Sequence, residues 1–397
     1  MIQLRAFGRT DVGRVREANE DSFCVDPASR LFIVADGVGG HNAGEVASGM
    51  VVSELRAELD DPFAQRTFDR FRNDPSLDTR REVQQLLVGA VHAVHARIYE
   101  RAQAEPDKRG MGTTLEAMIV LGRDAFLVHA GDSRIYLLRD RSVLQVTQDH
   151  SLLETLLAAG RGTREELSLS TMKSAVVNAV GATPDLAVDT LHFSLTTGDR
   201  FLLCSDGLHE YFPDEEELGT VLDAHPGEAG VARLVEMANE RGGKDNITAV
   251  LVWILSVPGP QISRDLKHDL QALKSAPLFE GLSIQEALQT LRICVERDMR
   301  AGEALPRITT GDDTAYLVLE GTMVTARGDS VGPGTLVHPQ ALVGGDEPDG
   351  LAHAPFPGRV LAIRRNDFLR LCNDHRGLGV KLLISLCRIL AHHTTNE

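Results

Sequence analysis

The sequence predicts an α/β protein of the α+β type, in which two β-sheets pack face to face and helices lie outside them. Short apolar runs of strand length recur between Gly and Asp turns over residues 2–256. Many of these runs follow one another directly, which favours antiparallel pairs. Two long amphipathic segments interrupt them, at about 43–60 and 80–104. Strands gathered in pairs with helices between them are typical of layered packing around a common core.

The predicted elements follow from local patterns along the chain. The strand candidates are apolar runs bounded by turn residues, and they lie at 2–8, 22–26, 31–35, 115–121, 125–130, 134–139, 143–147, 188–194, 201–205 and 247–255. The first helix candidate has an apolar side made by Val46, Met50, Val51, Leu55 and Leu59. The second has an equivalent side made by Val83, Leu86, Leu87, Ala90, Val91, Val94 and Ile98. Residues 61–79 contain two prolines and are predicted to form a loop or an irregular insertion.

Composition and charge limit the function classes. The chain has 397 residues, which is long for one domain and sufficient for two. Its formal net charge of -16 argues against nucleic acid or an anionic membrane as the main partner. No apolar stretch reaches the length of about 18 residues that a transmembrane helix needs, and the N-terminus does not resemble a signal peptide. The 5 cysteines are scattered and typical of a reducing compartment, so we expect a cytoplasmic protein.

A Pro- and Gly-rich segment marks the clearest domain boundary. Residues 256–260 contain two prolines and a glycine directly after a strand candidate, and this composition ends a domain. We therefore expect a first domain at 1–256 and a linker at 257–275, with a short connecting helix over 262–274. A second domain is expected at 276–397.

Acidic motifs at the ends of apolar runs predict a metal site. They are Asn19-Glu20-Asp21, Asp36-Gly37, Ser205-Asp206-Gly207 and Asp245-Asn246. Carboxylates at the ends of several buried strands can converge on one point, where they repel each other unless a positive charge lies between them. A hard divalent cation with oxygen ligands is the simplest such charge. Each Asp-Gly pair alone is also typical of a turn, so the prediction depends on the ordered set.

The ordered motifs resemble those of the metal-dependent (type 2C, PPM) serine/threonine protein phosphatases, bacterial branch. The matching segments are Thr10–Asp21, Asp36–Gly40, Gly110–Thr114, Gly131–Arg134, Ser205–Leu208 and Asp245–Thr248. The resemblance covers about residues 5–255 and implies a four-layer α-β-β-α sandwich with a metal site at one end. It implies hydrolysis of phosphoserine and phosphothreonine in proteins, by attack of a water that two Mn²⁺ or Mg²⁺ ions activate.

The same resemblance implies a ligand set for two tightly bound cations. Asp36 would bridge them, and Asp206 and Asp245 would complete the coordination of one. Glu20 and the carbonyl of Gly37 would reach the other.

Two further carboxylates have more peripheral roles by resemblance. Asp21 would fix waters that the cations coordinate. Asp132 would hold a third, weaker ion together with Asp206, and the alternative is that Asp132 only caps a tight turn between two strands.

The resemblance assigns Arg16 to the phosphate group of the substrate, because a planar guanidinium suits two phosphate oxygens. Arg14 and Arg5 are alternatives, as is a surface ion pair for Arg16. The general acid is left open. Val38 stands where eukaryotic members have a His, so His41 or a metal-bound water would have to protonate the leaving oxygen, and His41 is also typical of a solvated helix start.

Residues 276–397 resemble a cyclic-nucleotide-binding domain, which is a small β-roll with flanking helices. The family's phosphate cradle is depleted in this chain, because residues 337–343 lack its Glu and Arg359 is only a loose match in 354–360. We therefore expect no binding of cyclic AMP or cyclic GMP in the micromolar range. The helix at about 376–393 is expected to dock a partner or form a homodimer, and the alternative is that it only closes its own roll.

These features predict a protein phosphatase that opposes a bacterial Ser/Thr protein kinase, with phosphorylated proteins as substrates. A phosphatase of the same fold that acts on an anti-sigma antagonist is one rival. A pseudophosphatase scaffold whose second domain binds the partner is another. The presence of Asp36, Asp206 and Asp245 argues against the scaffold, because a scaffold has no reason to keep mutually repelling carboxylates.

Overall fold

The computed structural model describes residues 2–39, 43–139, 141–158, 161–163, 166–167, 176–259, 275–282, 284–291, 293–305, 313–325, 327–344 and 352–394. The chain divides into two compact units, Met1–Ser263 and Arg264–Glu397. The domain boundaries expected at 256 and 276 stay a prediction. His41 and the connecting helix over 262–274 lie outside the described residues, as does most of 159–175.

Among the described residues of the first unit there are eleven strands, numbered in chain order. They are β1 Gln3–Asp11, β2 Asp21–Asp26, β3 Leu31–Val38, β4 Gly112–Thr113, β5 Leu115–Leu121, β6 Asp124–Ala130, β7 Arg134–Arg139, β8 Ser142–Gln145, β9 Asp189–Ser194, β10 Arg200–Cys204 and β11 Ile247–Ser256. Its described helices are α1 Ala43–Asp60, α2 Pro62–Asn73, α3 Leu77–Ala104, α4 Leu152–Ala158, α5 Asp206–His209, α6 Glu216–Ala224 and α7 Glu228–Glu240.

The predicted four-layer α-β-β-α sandwich is confirmed. One sheet has the order β1-β11-β10-β7-β8, and the other has the path β2-β3-β5-β6-β9 with β4 paired to β3. The two sheets share an apolar core that includes Phe32, Met118, Phe201 and Val252. A second core lies between α1–α3 and the β3-containing sheet, and a third lies between α6–α7 and the other sheet. Helices therefore cover both outer faces.

The expectation of a loop at 61–79 is wrong, because α2 occupies Pro62–Asn73. Pro62 does not break this helix, since it stands in the first turn, where proline needs no hydrogen-bond partner. The side chain of Asp61 caps the helix by accepting from the Phe63 N–H. Ala64, Phe68 and Phe71 are buried along one side. Helices α6 and α7 were not predicted either.

The antiparallel pairing brings several strand ends to one end of the sandwich. In the hairpin of β2 and β3, Asp21 lies opposite Asp36. On the other sheet, β10 ends beside the start of β11, because Cys204 pairs with Ala249. Cys204 also pairs with Arg134 at the start of β7. The acidic motifs that precede or follow these residues are thereby gathered at the same end.

The second unit contains strands β12 Cys294–Met299, β13 Thr314–Glu320, β14 Met323–Val324, β15 Ser330–Val331, β16 Leu336–Val337 and β17 Gly358–Arg364. Its described helices are α8 Ile284–Leu291, α9 Arg365–Asp374 and α10 Arg376–Thr394. The sheets have the orders β12-β17-β13-β16 and β14-β15. Among the described residues of both units, no helix is long and apolar enough to span a membrane.

Candidate metal centre

A cavity of about 260 Å³ lies at the end of the sandwich where the acidic motifs meet. Its walls are made by Arg16, Glu20, Asp36, Gly37, Val38, Gly39, Asp132, Val176, Asp206, Asp245 and Asn246. Seven of the eight residues predicted for the site line this cavity directly, and the eighth, Asp21, lies behind Asp36 as its partner in the hairpin. The structure thus brings the predicted site residues together, although their roles stay predictions.

Asp21 is a buried carboxylate, and only one of its two oxygens has hydrogen-bond partners. Its Oδ2 atom accepts from the hydroxyls of Ser205 at 2.8 Å and Thr248 at 2.6 Å. Its Oδ1 atom is buried without a hydrogen-bond partner among the described residues. Burial raises the pKa of Asp21 to about 6, against the effect of these two hydroxyls. An unsatisfied buried carboxylate oxygen of this kind fits a site that holds water or a cation.

The other carboxylates of the cavity destabilise one another in their charged form. Burial, followed by the charge of Asp245, raises the pKa of Asp206 to about 7. Burial and then the neighbouring carboxylates, first Asp21, raise the pKa of Asp36 well above its usual range. The pKa of Asp132 is raised in the same way by burial and by Asp206. Divalent cations would remove this repulsion, because they favour the ionised form of every carboxylate around them.

The main chain of Asp36 is clamped by the Thr113-Thr114 pair. The N–H of Asp36 donates to Thr114 Oγ1 at 2.9 Å, and its carbonyl accepts from the Thr114 N–H at 2.8 Å. Thr113 Oγ1 also donates to the Asp36 carbonyl at 2.9 Å. Thr114 Oγ1 shares a further hydrogen bond of 2.7 Å with Ser133, next to Asp132. These bonds connect the positions of Asp36 and Asp132 through buried hydroxyl groups.

Gly37 is required by a close approach between two backbones. A Cβ atom at Gly37 would lie 2.3 Å from the carbonyl oxygen of Gly44 and 2.6 Å from that of Glu20. Gly44 belongs to the first turn of α1, and a Cβ atom there would lie 2.8 Å from the carbonyl oxygen of Gly37. The Gly37 N–H donates to the Glu20 carbonyl at 3.2 Å. The absence of side chains here lets α1 and the Glu20 loop close on the end of β3.

Arg16 lies at the mouth of the cavity and pairs with a predicted metal ligand. Its Nη2 atom is 2.6 Å from Asp245 Oδ2, and about half of its side chain is exposed. The hydrogen bond from Arg16 to Asp245 raises the pKa of the guanidinium above its ordinary value. The Glu20 carboxyl has a raised pKa, mainly because of burial. Arg16 is thus placed where an anion entering the cavity would meet it.

Asn246 belongs to the predicted Asp245-Asn246 motif, but no role of its own was predicted for it, and in the structure it holds the site together. Its Oδ1 atom accepts from the Glu20 N–H at 2.8 Å. Its Nδ2 group donates to the carbonyls of Val12 at 3.0 Å and Ala18 at 2.9 Å. One amide therefore fixes the loop that presents both Arg16 and Glu20. The sequence signal was its place directly after Asp245, although nothing in the sequence shows that it reaches back to the N-terminal loop.

A second group of polar residues lies behind Asp132, around His129, His150 and Asp189, whose ligand atoms are mutually close. His150 Nδ1 accepts from the Gly131 N–H at 3.2 Å, so its proton is on Nε2 and faces Asp189 Oδ2 at 3.1 Å. His129 Nε2 faces the carbonyl of Gln148 at 2.7 Å and must likewise be protonated. Both Nε2 atoms are therefore donors, and this group is a hydrogen-bonded support rather than a metal site.

This support connects residues 176–178 to the turn that contains Asp132. The His150 N–H donates to the Gly131 carbonyl at 2.6 Å, and the Val177 N–H donates to the His150 carbonyl at 2.9 Å. Asn178 Nδ2 lies 2.7 Å from His150 Nδ1. Val176, which lines the cavity, is held by the same contacts.

The donor set fits hard divalent cations. The residues around the cavity offer carboxylate and carbonyl oxygens, and among the described lining residues there is no thiol or imidazole. Two carboxylate oxygens, Asp21 Oδ1 and Asp206 Oδ1, are buried without a hydrogen-bond partner. Coordination, directly or through water, would satisfy both.

A four-layer sandwich with an oxygen-lined acidic cavity at one end defines a protein built to hold divalent cations. The family model for protein phosphatase 2C matches residues 14–252. The match covers more than half of the chain, and the chain belongs to the protein phosphatase 2C family.

Similar proteins and structures extend this result. The chain is 40% identical over 254 residues to the serine/threonine protein phosphatase PstP of Mycobacterium tuberculosis, covering 64% of this chain and 46% of PstP. It is 37% identical over 253 residues to the serine/threonine phosphatase stp of Listeria welshimeri, covering 63% of this chain and 95% of that protein. A solved structure of the PstP catalytic domain in complex with 2 manganese ions superimposes with a TM-score of 0.53 at 37% identity, covering 64% of this chain and 100% of that one. The chain thus spans about half the length of PstP.

Proposed function

We propose that this protein is a metal-dependent phosphatase that hydrolyses phosphoserine and phosphothreonine in proteins. The observation that supports this most directly is the convergence of Asp36, Asp206 and Asp245 on one oxygen-lined cavity with Arg16 at its mouth. Family membership and the protein phosphatases among its relatives support the same assignment.

Two tightly bound Mn²⁺ or Mg²⁺ ions are proposed for the cavity, in line with the manganese in the similar PstP structure. In this proposal Asp36 would be shared by the two ions, Asp206 and Asp245 would hold one, and Glu20 with the Gly37 carbonyl would hold the other. When bound, such ions supply an activated water and neutralise the charge of the phosphoryl oxygens. Asp132 with Asp206 is proposed for a third, weaker ion.

The protein's own residues contribute binding and orientation. Asp21, held by Ser205 and Thr248, has an unsatisfied Oδ1 atom that would accept a hydrogen bond from water coordinated by the ions. Arg16 can exchange its bond to Asp245 for a bidentate contact with a phosphate group. The clamp on the Asp36 backbone holds the bridging carboxylate in place without help from the substrate.

The direct test is phosphate release from a phosphothreonine peptide by the full chain. The metal-stripped protein should be inactive, and Mn²⁺ or Mg²⁺ should restore activity. With metal restored, the activity of Asp36→Asn should be at least about a hundredfold lower than that of the wild type, because the substitution removes a preorganised charge. Asp223→Asn, which changes a half-exposed Asp on the surface of α6, is the matched control and should keep full activity. A metal-stripped protein that retains full turnover would favour another mechanism, and a folded protein inactive with either ion would favour the pseudophosphatase scaffold.

We also infer that the second unit is a cyclic-nucleotide-binding-like roll that does not bind cyclic nucleotides. Arg359, the loose match to the family's phosphate-binding Arg, is 1% exposed and pairs with Glu296 at 2.7 Å and Glu320 at 3.0 Å. Two carboxylates of the same unit thus occupy the guanidinium that a cyclic phosphate would need.

A partner-binding role for α10 is the remaining part of this proposal. One side of the helix is buried in its own unit, through Leu378, Leu382, Leu386 and Ile389. Val380, Leu383 and Ile384 are exposed on another side. This arrangement supports a helix that closes its own roll and also presents an apolar surface to a docking partner or a second copy. A phosphorylated protein substrate and an opposing Ser/Thr kinase complete the proposed partners.

A further inference from the structure

The first unit contains a second cavity, of about 660 Å³, at the end of the sandwich opposite the acidic one. Strands β2 and β3 connect the two ends, since Asp21 and Asp36 pair at one and Asp26 and Leu31 at the other. Five residues of strand place them about 17 Å apart at roughly 3.3 Å per residue. This second cavity is therefore separate from the candidate metal centre, and we call it the basal cavity.

The basal cavity combines an apolar wall with a positive rim. Ile2, Phe68 and Ile119 are almost fully buried and form the apolar part. Its polar lining is made by Ser29, Arg30, Asp60, Gln65, Arg72 and Arg123. Three arginines and one aspartate belong to this lining, in a chain whose net charge is -16. The carboxyl of Asp60 is further balanced by Arg56, at 3.9 Å.

Arg30 is the least satisfied of these cations. Among the residues that the structure describes, it has no carboxylate partner, and its hydrogen bond is a long one of 3.5 Å to the Ile2 carbonyl. Burial and the nearby guanidinium of Arg72 both lower the pKa of Arg30. Arg72 itself pairs with Asp69 on the surface at 2.7 Å. Two neighbouring guanidinium groups that face one cavity create a favourable place for an anion.

The backbone at Arg30 adds an independent observation. Its φ angle is 57°, in the left-handed region, where a residue with a long side chain is uncommon and Gly or Asn would be less strained. The turn itself is stabilised by Asp26, which accepts from the N–H groups of Ala28 at 3.0 Å and Ser29 at 3.2 Å. The turn does not need an arginine, so its presence points to a role for the side chain in the cavity.

We propose that the basal cavity binds a small organic phosphate, with the phosphate dianion at Arg30 and Arg72 and an apolar or aromatic body against Phe68 and Ile119. The volume is within the range of about 300–1,000 Å³ that small-molecule sites occupy. Inorganic phosphate would fill only a small part of it, and the apolar wall therefore selects for an organic body. The two guanidinium groups of Arg30 and Arg72 match a dianion better than a monoanion.

The test uses phenylphosphonate, because its P–C bond cannot be hydrolysed at the metal centre. Titration calorimetry is performed on the full chain after metal removal and desalting at pH 8. In this state the acidic cavity repels anions, so binding reports on the basal cavity whether or not the proposed phosphatase activity holds. We expect phenylphosphonate to bind more tightly than inorganic phosphate and than the monoanion benzenesulfonate, and its affinity to fall with added salt.

Arg30→Asn is the decisive variant, since Asn accepts the left-handed backbone and the protein should remain as stable as the wild type. We expect its affinity for phenylphosphonate to fall about tenfold or more, as for the loss of a charged hydrogen-bond donor. Arg66→Gln, an exposed change on α2 outside the cavity, should bind as the wild type does. Equal affinity of Arg30→Asn and wild type, or no binding by the wild type in the millimolar range, would overturn the proposal. Equal affinities for phosphate and phenylphosphonate would refute the claim that the apolar wall selects a ligand with an organic body.

Discussion

The Nη2 atom of Arg16 lies 2.6 Å from the Oδ2 atom of Asp245, across a sequence separation of 229 residues. The residue expected to bind substrate phosphate is thus paired with a residue expected to bind metal. An arginine and a divalent cation compete for one carboxylate, because each neutralises it. Cation binding to Asp245 would weaken the contact with Arg16 and make its guanidinium available to an incoming phosphate.

Arg16→Ala should therefore have two separable effects. The KM for a phosphothreonine peptide should rise about tenfold with a smaller change in kcat, because the contact with phosphate exists before the transition state. The affinity for Mn²⁺ should increase, because the competing cation is gone. Steady-state kinetics and a Mn²⁺ titration measure the two, and Arg66→Ala, at an exposed position of α2, is the matched control. Unchanged KM and unchanged Mn²⁺ affinity together would make Arg16 a surface ion pair.

Asp36→Asn should stabilise the metal-free protein while it removes activity. The neighbouring carboxylates and burial raise the pKa of Asp36 well above its usual range, so its ionised form is unfavourable in the folded chain. An amide of the same shape removes that repulsion. Thermal melts at pH 8 in a chelator should give a higher Tm for Asp36→Asn than for the wild type. A lower Tm would mean that the carboxylate has a favourable partner in the metal-free state.

The stability of the metal-free protein should fall as the pH rises from about 5 to 8. The pKa values of Asp21, about 6, and Asp206, about 7, exceed those of an unfolded chain, near 3.9. The folded state then binds more protons than the unfolded state, so its advantage is complete below the unfolded pKa and is lost through pH 6–7. Urea unfolding at several pH values in a chelator measures this trend. Saturating Mn²⁺ should reverse it, since the ion binds the ionised carboxylates; a metal-free stability that rises over this interval would contradict the burial of these groups.

Asn246→Ala should weaken metal binding as well as stability. The substitution removes hydrogen bonds to Glu20, Val12 and Ala18, and their loss should lower the free energy of unfolding by about 1–3 kcal/mol. The loop that presents Glu20 would then be less ordered. Urea unfolding and a Mn²⁺ titration measure the two effects. A loss of stability with unchanged Mn²⁺ affinity would show that the loop does not need this clamp to hold the ion.

Cyclic AMP and cyclic GMP should not bind the full chain in the micromolar range. The buried guanidinium of Arg359 would have to break its ion pairs with both Glu296 and Glu320, and breaking two pairs costs more than one new phosphate contact returns. Titration calorimetry with each nucleotide tests this expectation, and a clear micromolar isotherm would refute it.

Light scattering of the wild type and of a Val380→Glu, Ile384→Glu double variant tests the docking surface on α10. A dimer only in the wild type would favour self-association.

The sequence predicted most strands of the first unit because their apolar runs end in turn residues, as at 115–121 and 134–139, which the structure reproduces. It failed at α2, where Pro62 was read as a helix breaker and the buried Phe68 and Phe71 were not recognised as one side of a helix. The predicted site residues converge because strand pairing is antiparallel, which a local pattern cannot show. The role of Asn246 depends on contacts more than 220 residues apart and could not be found from motif spacing.

Strand β1, the first of its unit, pairs along its whole length with β11, the last. Asp245 and Asn246 stand immediately before β11 and close the cavity around residues from the N-terminal loop. During synthesis, the acidic centre therefore stays incomplete until the end of the unit has left the ribosome. Such long-range pairing forms late and slowly. A nascent chain cannot assemble its complete ligand set early. Cation binding at this centre therefore requires that the whole first unit has been synthesised and folded.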